Sequence, residues 1–81
     1  MQYDPNGFPE LASSTIATLR AVMAENQHEP ATWKREGMEH HLAHAVDHLA
    51  AFVEGGELDT DLDHALTRLA MAVWCRNIGV A

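Results

Sequence analysis

The histidines of this sequence are concentrated in one stretch of the chain. Five of the six lie within or shortly after a segment with helical spacing: His40, His41, His44, His48 and His64. Because a helix turns by about 100° per residue, the first four share a sector about 100° wide, beside the stripe of Leu42 and Leu49. His44 and His48 are four residues apart, so their imidazoles could converge on one metal ion or anion. Solvated or interface histidines are the commoner outcome of such a pair, and a divalent-ion site and a polar-ligand pocket are the alternatives.

Two short carboxylate pairs raise the question of magnesium chemistry. They are Glu36 with Glu39, and Glu54 with Glu57. Carboxylates at this i, i+3 spacing on a helix can hold an ion that bridges phosphate oxygens. Neither pair lies on a continuous helical face, because a glycine directly follows the first glutamate of each pair. We therefore expect both pairs to be solvated, and the sequence predicts no catalytic residue and no metal site.

Basic residues are scarce, so their positions are informative. The 5 Lys and Arg stand against 12 Asp and Glu, which gives a net charge of −7. This balance argues against a protein that binds a nucleic-acid backbone or an anionic membrane surface. Lys34 and Arg35 adjoin Trp33, and Arg68 lies one turn beyond His64. A phosphate-bearing ligand would need a local cationic group, and these residues are the main ones that could supply it.

The tryptophans and the single cysteine complete the candidate groups. Trp33 and Trp74 could stack on a nucleobase, but large aromatic side chains more often anchor a small core or an interface. Cys75 is the only cysteine of the sequence. An internal disulfide is therefore impossible, and a reducing, cytoplasmic setting is the default expectation.

These groups must be positioned by a small helical fold. Hydrophobic residues make up 47% of the 81 residues, which suits one folded domain rather than a disordered chain. Glycine and proline fall mainly between apolar-periodic segments, so we predict an all-α fold of three helices with a short turn near Thr32. The predicted boundaries are an N-terminal arm over 1–8 and helices over 9–26, 38–54 and 60–77. No apolar run approaches the ~20 residues that span a bilayer, so we expect no membrane partner.

The second and third predicted helices differ in their apolar faces. The expected inward stripe of the second is Met38, Leu42, Ala45, Val46, Leu49 and Val53. The third has two apolar faces, one with Leu62, Leu66, Leu69 and Val73 and the other with Met71, Trp74, Cys75 and Ile78. A helix that is apolar nearly all round must be covered on every side, which a chain this short cannot do alone. We therefore expect self-association into a helical oligomer, with a ligand cleft at the subunit seam.

Short motifs between residues 33 and 75 carry a family resemblance. They are Trp33-Lys34-Arg35-Glu36-Gly37-Met38, Leu42-Ala43-His44-Ala45-Val46-Asp47-His48-Leu49, Gly56-Glu57-Leu58-Asp59 and His64-Ala65-Leu66. Together they resemble a small phage-encoded helical family, the N-terminal domain of dATP/dGTP diphosphohydrolase. The resemblance marks Trp33, His48, Gly56, Glu57, Asp59 and His64 as family positions. The family's Arg before its histidine is Asp47 here, and the second His of its His-x-x-His motif is Thr67, so two polar groups that could touch a nucleotide are changed.

The resemblance implies a nucleotide or a nucleotide-derived molecule as ligand, in a phage setting and hence in the host cytosol. We expect a non-catalytic, homo-oligomeric binding module, able to sequester a defence signal and needing no cofactor. Its expected ligand-binding residues are Trp33, Lys34, Arg35, His44, His48, His64 and Arg68. One alternative is a magnesium-dependent dATP/dGTP diphosphohydrolase in which Glu57 and Asp59 hold the ion. Another is a structural assembly protein without a ligand.

Overall fold

The fold consists of α-helices and two short helical turns. The computed structural model describes residues 5–25, 32–55 and 59–79, with the side chains of all of them except Pro5 and Asp59. The α-helices are α1 (Phe8–Ala24), α2 (Met38–Val53) and α3 (Asp59–Ile78), and the turns are Pro5–Gly7 and Thr32–Arg35. These ranges contain no strand, so the predicted all-α fold is confirmed. Within the same ranges, no helix combines the length and the hydropathy that a bilayer crossing requires.

The helix ends follow the glycines and prolines of the sequence. Pro9 lies in the first turn of α1, where its missing N–H needs no partner. Gly55 and Gly79 have φ values of 101° and 82°, a backbone region that favours glycine and ends α2 and α3. Each observed boundary lies within two residues of the predicted one, which is the usual uncertainty of helix ends.

Helices α2 and α3 form an antiparallel hairpin. His41, near the start of α2, contacts Arg68 in the middle of α3, whereas His48 in the second half of α2 contacts Asp61 in the first turn of α3. α1 packs against α3 and makes no close backbone approach to α2 within the described residues. The α2–α3 contact is therefore the main packing surface of the chain.

The orientation of α2 contradicts the sequence prediction. Ala45 is the only buried member of the expected inward stripe, while Val46 is 63% exposed and Val53 is 75% exposed. The side that contacts α3 carries His41, which is fully buried. Two causes favour this rotation. Small residues let the helices approach closely, and α3 offers hydrogen-bonding partners to the histidines, which removes the penalty for burying them.

The two apolar faces of α3 differ in how far they are covered within one chain. Cys75 is fully buried, Met71 and Trp74 are half-buried, and Ile78 is 53% exposed, so this face is only partly covered within one chain. The expected self-association of this helix stays a prediction. The opposite stripe, with Leu62, Leu69 and Val73, is exposed. The physical reason is that α3 has two helical neighbours, and they cover the sides that carry its small and polar residues.

Candidate functional site

A row of polar side chains runs along the α2–α3 contact and carries most of the candidate groups. On α2 its members are His41, His44 and His48, and on α3 they are Arg68, His64 and Asp61. The antiparallel arrangement of α2 and α3 places each residue of one set beside a residue of the other set. Residues that are separated by up to 27 positions in the sequence are thereby in direct contact.

His41 is the central residue of this row. Its Nε2–H donates to the backbone carbonyl oxygen of Trp33 at 2.7 Å, and its Nδ1 accepts a hydrogen bond from Arg68 Nη1 at 3.0 Å. This pair of partners assigns the tautomer with the ring proton on Nε2. His41 therefore links the Thr32–Arg35 turn to α2 and, through Arg68, to α3.

Glu36 extends the network to the surface. Its two carboxylate oxygens contact different side chains: Oε1 is 3.5 Å from Arg68 Nη1, and Oε2 is 3.1 Å from His40 Nε2. The rings of His40 and His44 lie 4.6 Å apart between centroids. Partial burial lowers the pKa of His44 below its usual value of 6.5, and the positive charge of Arg68 lowers it further. His44 is therefore a weaker base than a solvated histidine.

The other end of the row is a second cluster of histidines and carboxylates. His48 Nδ1 lies 3.1 Å from Asp61 Oδ1, and the ring of His48 packs edge-on against that of His64 at 5.0 Å. His64 Nε2 in turn lies 3.4 Å from Glu25 Oε2, at the end of α1. These contacts connect all three helices. Each histidine of the cluster has a carboxylate from another element within reach.

A cation and two indole rings meet at the Thr32–Arg35 turn. The rings of Trp33 and Trp74 are 4.9 Å apart in an edge-to-face arrangement. Lys34 Nζ lies 5.8 Å from each of the two ring centroids, which is within the range of cation–π attraction. Both indoles are half-buried, and Lys34 and Arg35 are exposed. We call Trp33, Lys34 and Trp74 the indole–lysine cluster.

The structure places the predicted ligand-binding residues in two neighbouring groups within one chain. His44, His48, His64 and Arg68 belong to the polar row, and Trp33 and Lys34 to the indole–lysine cluster, with Arg35 on the same turn. The sequence analysis missed His41 as the central residue and did not assign partner roles to Glu36, Asp61 and Glu25. His41 lies at one edge of the histidine sector, next to Ala45 on the helical wheel, so the histidine pattern alone did not mark it as the most deeply buried member.

The described residues give no support to a metal centre. Among them, no group of three or more His, Cys, Asp or Glu side chains is arranged to hold a metal ion. Glu57 and the side chain of Asp59, which the enzyme alternative needs, lie outside the described part of the chain. Every buried side-chain nitrogen or oxygen in the described part has a hydrogen-bonding partner.

Comparison with known proteins adds no relative. No family model matches the chain, and neither a curated protein nor a solved structure matches it. The resemblance to the N-terminal domain of dATP/dGTP diphosphohydrolase therefore stays a prediction.

Proposed function

We propose that this protein is a small helical module that binds an anionic, nucleotide-type molecule at the indole–lysine cluster. The observation that carries the proposal is the position of Lys34 Nζ, 5.8 Å from the centroids of both Trp33 and Trp74. An indole surface can stack on a base, and a neighbouring ammonium group can attract a phosphate. The two halves of a nucleotide thus have complementary groups within one small area.

The charge distribution supports this location over the polar row. Among the described residues, neither Lys34 nor Arg35 forms an ion pair, whereas Arg68 is already paired with Glu36. A phosphate at Arg68 would have to displace that carboxylate. In a chain with a net charge of −7, the cations without a carboxylate partner are the ones that can attract an anion.

The polar row then has a positioning role in this proposal. His41 hydrogen-bonds the backbone of Trp33, and Arg68 holds His41 in place. These contacts fix the turn that carries Lys34. Sequestration of a nucleotide-derived defence signal by a phage protein, which the family resemblance implies, would require binding without turnover.

Tryptophan fluorescence tests the proposal directly, because both tryptophans of the sequence belong to the cluster. We expect dATP, dGTP or ADP-ribose to change the emission saturably, with and without magnesium. Lys34→Ala should weaken the affinity about 10-fold, since it removes one charge-assisted contact. Arg20→Ala, which removes an exposed cation from α1, is the matched control and should leave the affinity unchanged.

The outcomes separate the alternatives. If His48→Ala weakens binding and Lys34→Ala does not, the ligand lies in the polar row and the proposed location is wrong. Release of pyrophosphate would establish the diphosphohydrolase. No saturable change with any of the three ligands would contradict the binding proposal and favour an assembly protein.

A further inference from the structure

An exposed apolar surface covers one side of the α2–α3 hairpin. Its members on α2 are Leu42, Val46, Leu49 and Val53, and on α3 they are Leu62, Leu69 and Val73. We propose that a second copy of this chain docks on this surface, here called the hairpin face, so that two hairpins form a four-helix bundle. The partner is thus a second identical chain, and the inference goes beyond the proposed ligand binding.

Helical geometry places both stripes on the same side of the hairpin. At 100° per residue, the centre of the α2 stripe lies about 110° around the helix axis from the side of α2 that contacts α3. The centre of the α3 stripe lies about 120° around its own axis, in the same sense from N- to C-terminus, from the side of α3 that contacts α2. Because the two helices are antiparallel, rotations in the same sense place both stripes on the same side of the plane that contains the two helix axes. The two stripes therefore form one continuous surface rather than two opposite ones.

The surface has the composition of an interface. All seven members are aliphatic, and no charged residue interrupts either stripe at its helical spacing, in a chain with 17 charged residues among Lys, Arg, Asp and Glu (5 plus 12). Solvent-exposed apolar patches of this kind mark association sites in small proteins. An apolar surface without charges is also complementary to itself, as a two-fold interface requires.

The chain as a whole exposes more surface than a folded monomer of its mass. The chain exposes 6186 Å², whereas the size scaling of folded monomers gives about 4,800 Å² for a protein of this mass. A standard interface buries about 800 Å² on each partner. Burial of the hairpin face would therefore bring the exposed area closer to that of an ordinary folded protein.

The rest of this sequence supplies little that could cover the hairpin face. The residues outside the described ranges form stretches of at most six positions, 26–31 being the longest. Their only large apolar side chains are Met1, Tyr3, Leu58 and Val80. These four side chains are fewer than the seven of the hairpin face, whereas a second copy of the chain carries an apolar surface of matching size.

The hairpin face is separate from the proposed ligand site. On the wheel of α3, Trp74 lies about 120° away from the centre of the Leu62/Leu69/Val73 stripe. Ligand binding and dimerisation can therefore fail independently. A dimer that binds no nucleotide would contradict the proposed function alone, and a monomer that binds one would contradict the inference alone.

The test is the mass in solution, measured by sedimentation from about 1 µM to about 1 mM, the range that covers weak to moderate specific affinities. We expect a dimer that Val46→Glu and Leu69→Glu each dissociate, raising the dissociation constant at least about 100-fold, because each would bury a charge without a partner. The matched controls lie on α1 at similar exposure. Leu11→Glu, at 68% exposed, matches Val46 at 63%, and Ile16→Glu, at 47%, matches Leu69 at 43%.

Each result decides the inference. Dissociation by both face variants, with the controls still dimeric, supports it. A wild-type chain that is monomeric over the whole range overturns it, as does an oligomer that persists in both face variants. If the glutamate variants lose their helical circular dichroism, the milder Val46→Ala and Leu69→Ala provide the same readout, with a smaller increase in the dissociation constant expected.

Discussion

Replacing His41 with alanine is expected to lower the free energy of unfolding by about 2–4 kcal/mol. His41 is fully buried and makes two hydrogen bonds, to the Trp33 carbonyl and to Arg68. The substitution leaves a cavity and deprives both groups of their partner. Urea denaturation followed by circular dichroism measures the loss.

The neighbouring histidine provides the control. His40 is exposed to solvent, and its Nε2 lies 3.1 Å from Glu36 Oε2. His40→Ala should therefore change the free energy of unfolding by about 0.5 kcal/mol or less, as is usual for exposed pairs. Equal losses in the two variants would show that α2 is not rotated with His41 towards α3.

The second large effect is expected from overpacking the hairpin. Ala45 and Ala65 are both buried, and each lies midway between the two pairs that tie the helices together, His41 with Arg68 and His48 with Asp61. Their small side chains allow the helix axes to approach. Ala65→Leu should lower the free energy of unfolding by about 1–3 kcal/mol, because the added atoms must push the helices apart.

Ala43→Leu is the matched control for this substitution. Ala43 is exposed on α2, away from α3, so the same added volume meets solvent and should leave the stability within about 0.5 kcal/mol. Chemical denaturation of the two variants side by side measures the difference. If Ala65→Leu is tolerated as well as Ala43→Leu, the close α2–α3 contact is absent.

The helices could be predicted from the sequence because their limits depend on local chemistry. Pro9, Gly55 and Gly79 act on the backbone at their own positions, so their effect needs no knowledge of the fold. The rotation of α2 could not be predicted in the same way. Either the histidine sector or the leucine stripe of α2 could face α3. The histidines face it because they contact Arg68 and Asp61, and these two residues lie beside α2 only in the folded hairpin.

The candidate site was predictable to the same limited extent. The neighbourhood of Trp33 and Lys34 follows directly from their adjacency in the sequence. That Trp74 joins them, 41 positions further along, depends on how the Thr32–Arg35 turn packs on α3. The carboxylate partners of Arg68 and His48 were missed for the same reason. The pairing of Arg68 with Glu36 distinguishes this cation from Lys34, which has no carboxylate partner among the described residues.

The inward orientation of His41 is the central claim, since both the position of the Trp33 turn and the exposure of the hairpin face follow from it. Nitrogen-15 NMR of the histidine rings tests it most directly. The account predicts for His41 a ring proton on Nε2 that exchanges slowly with solvent, and no ring proton on Nδ1. A rapidly exchanging His41 ring proton, like that of an exposed histidine, would contradict it.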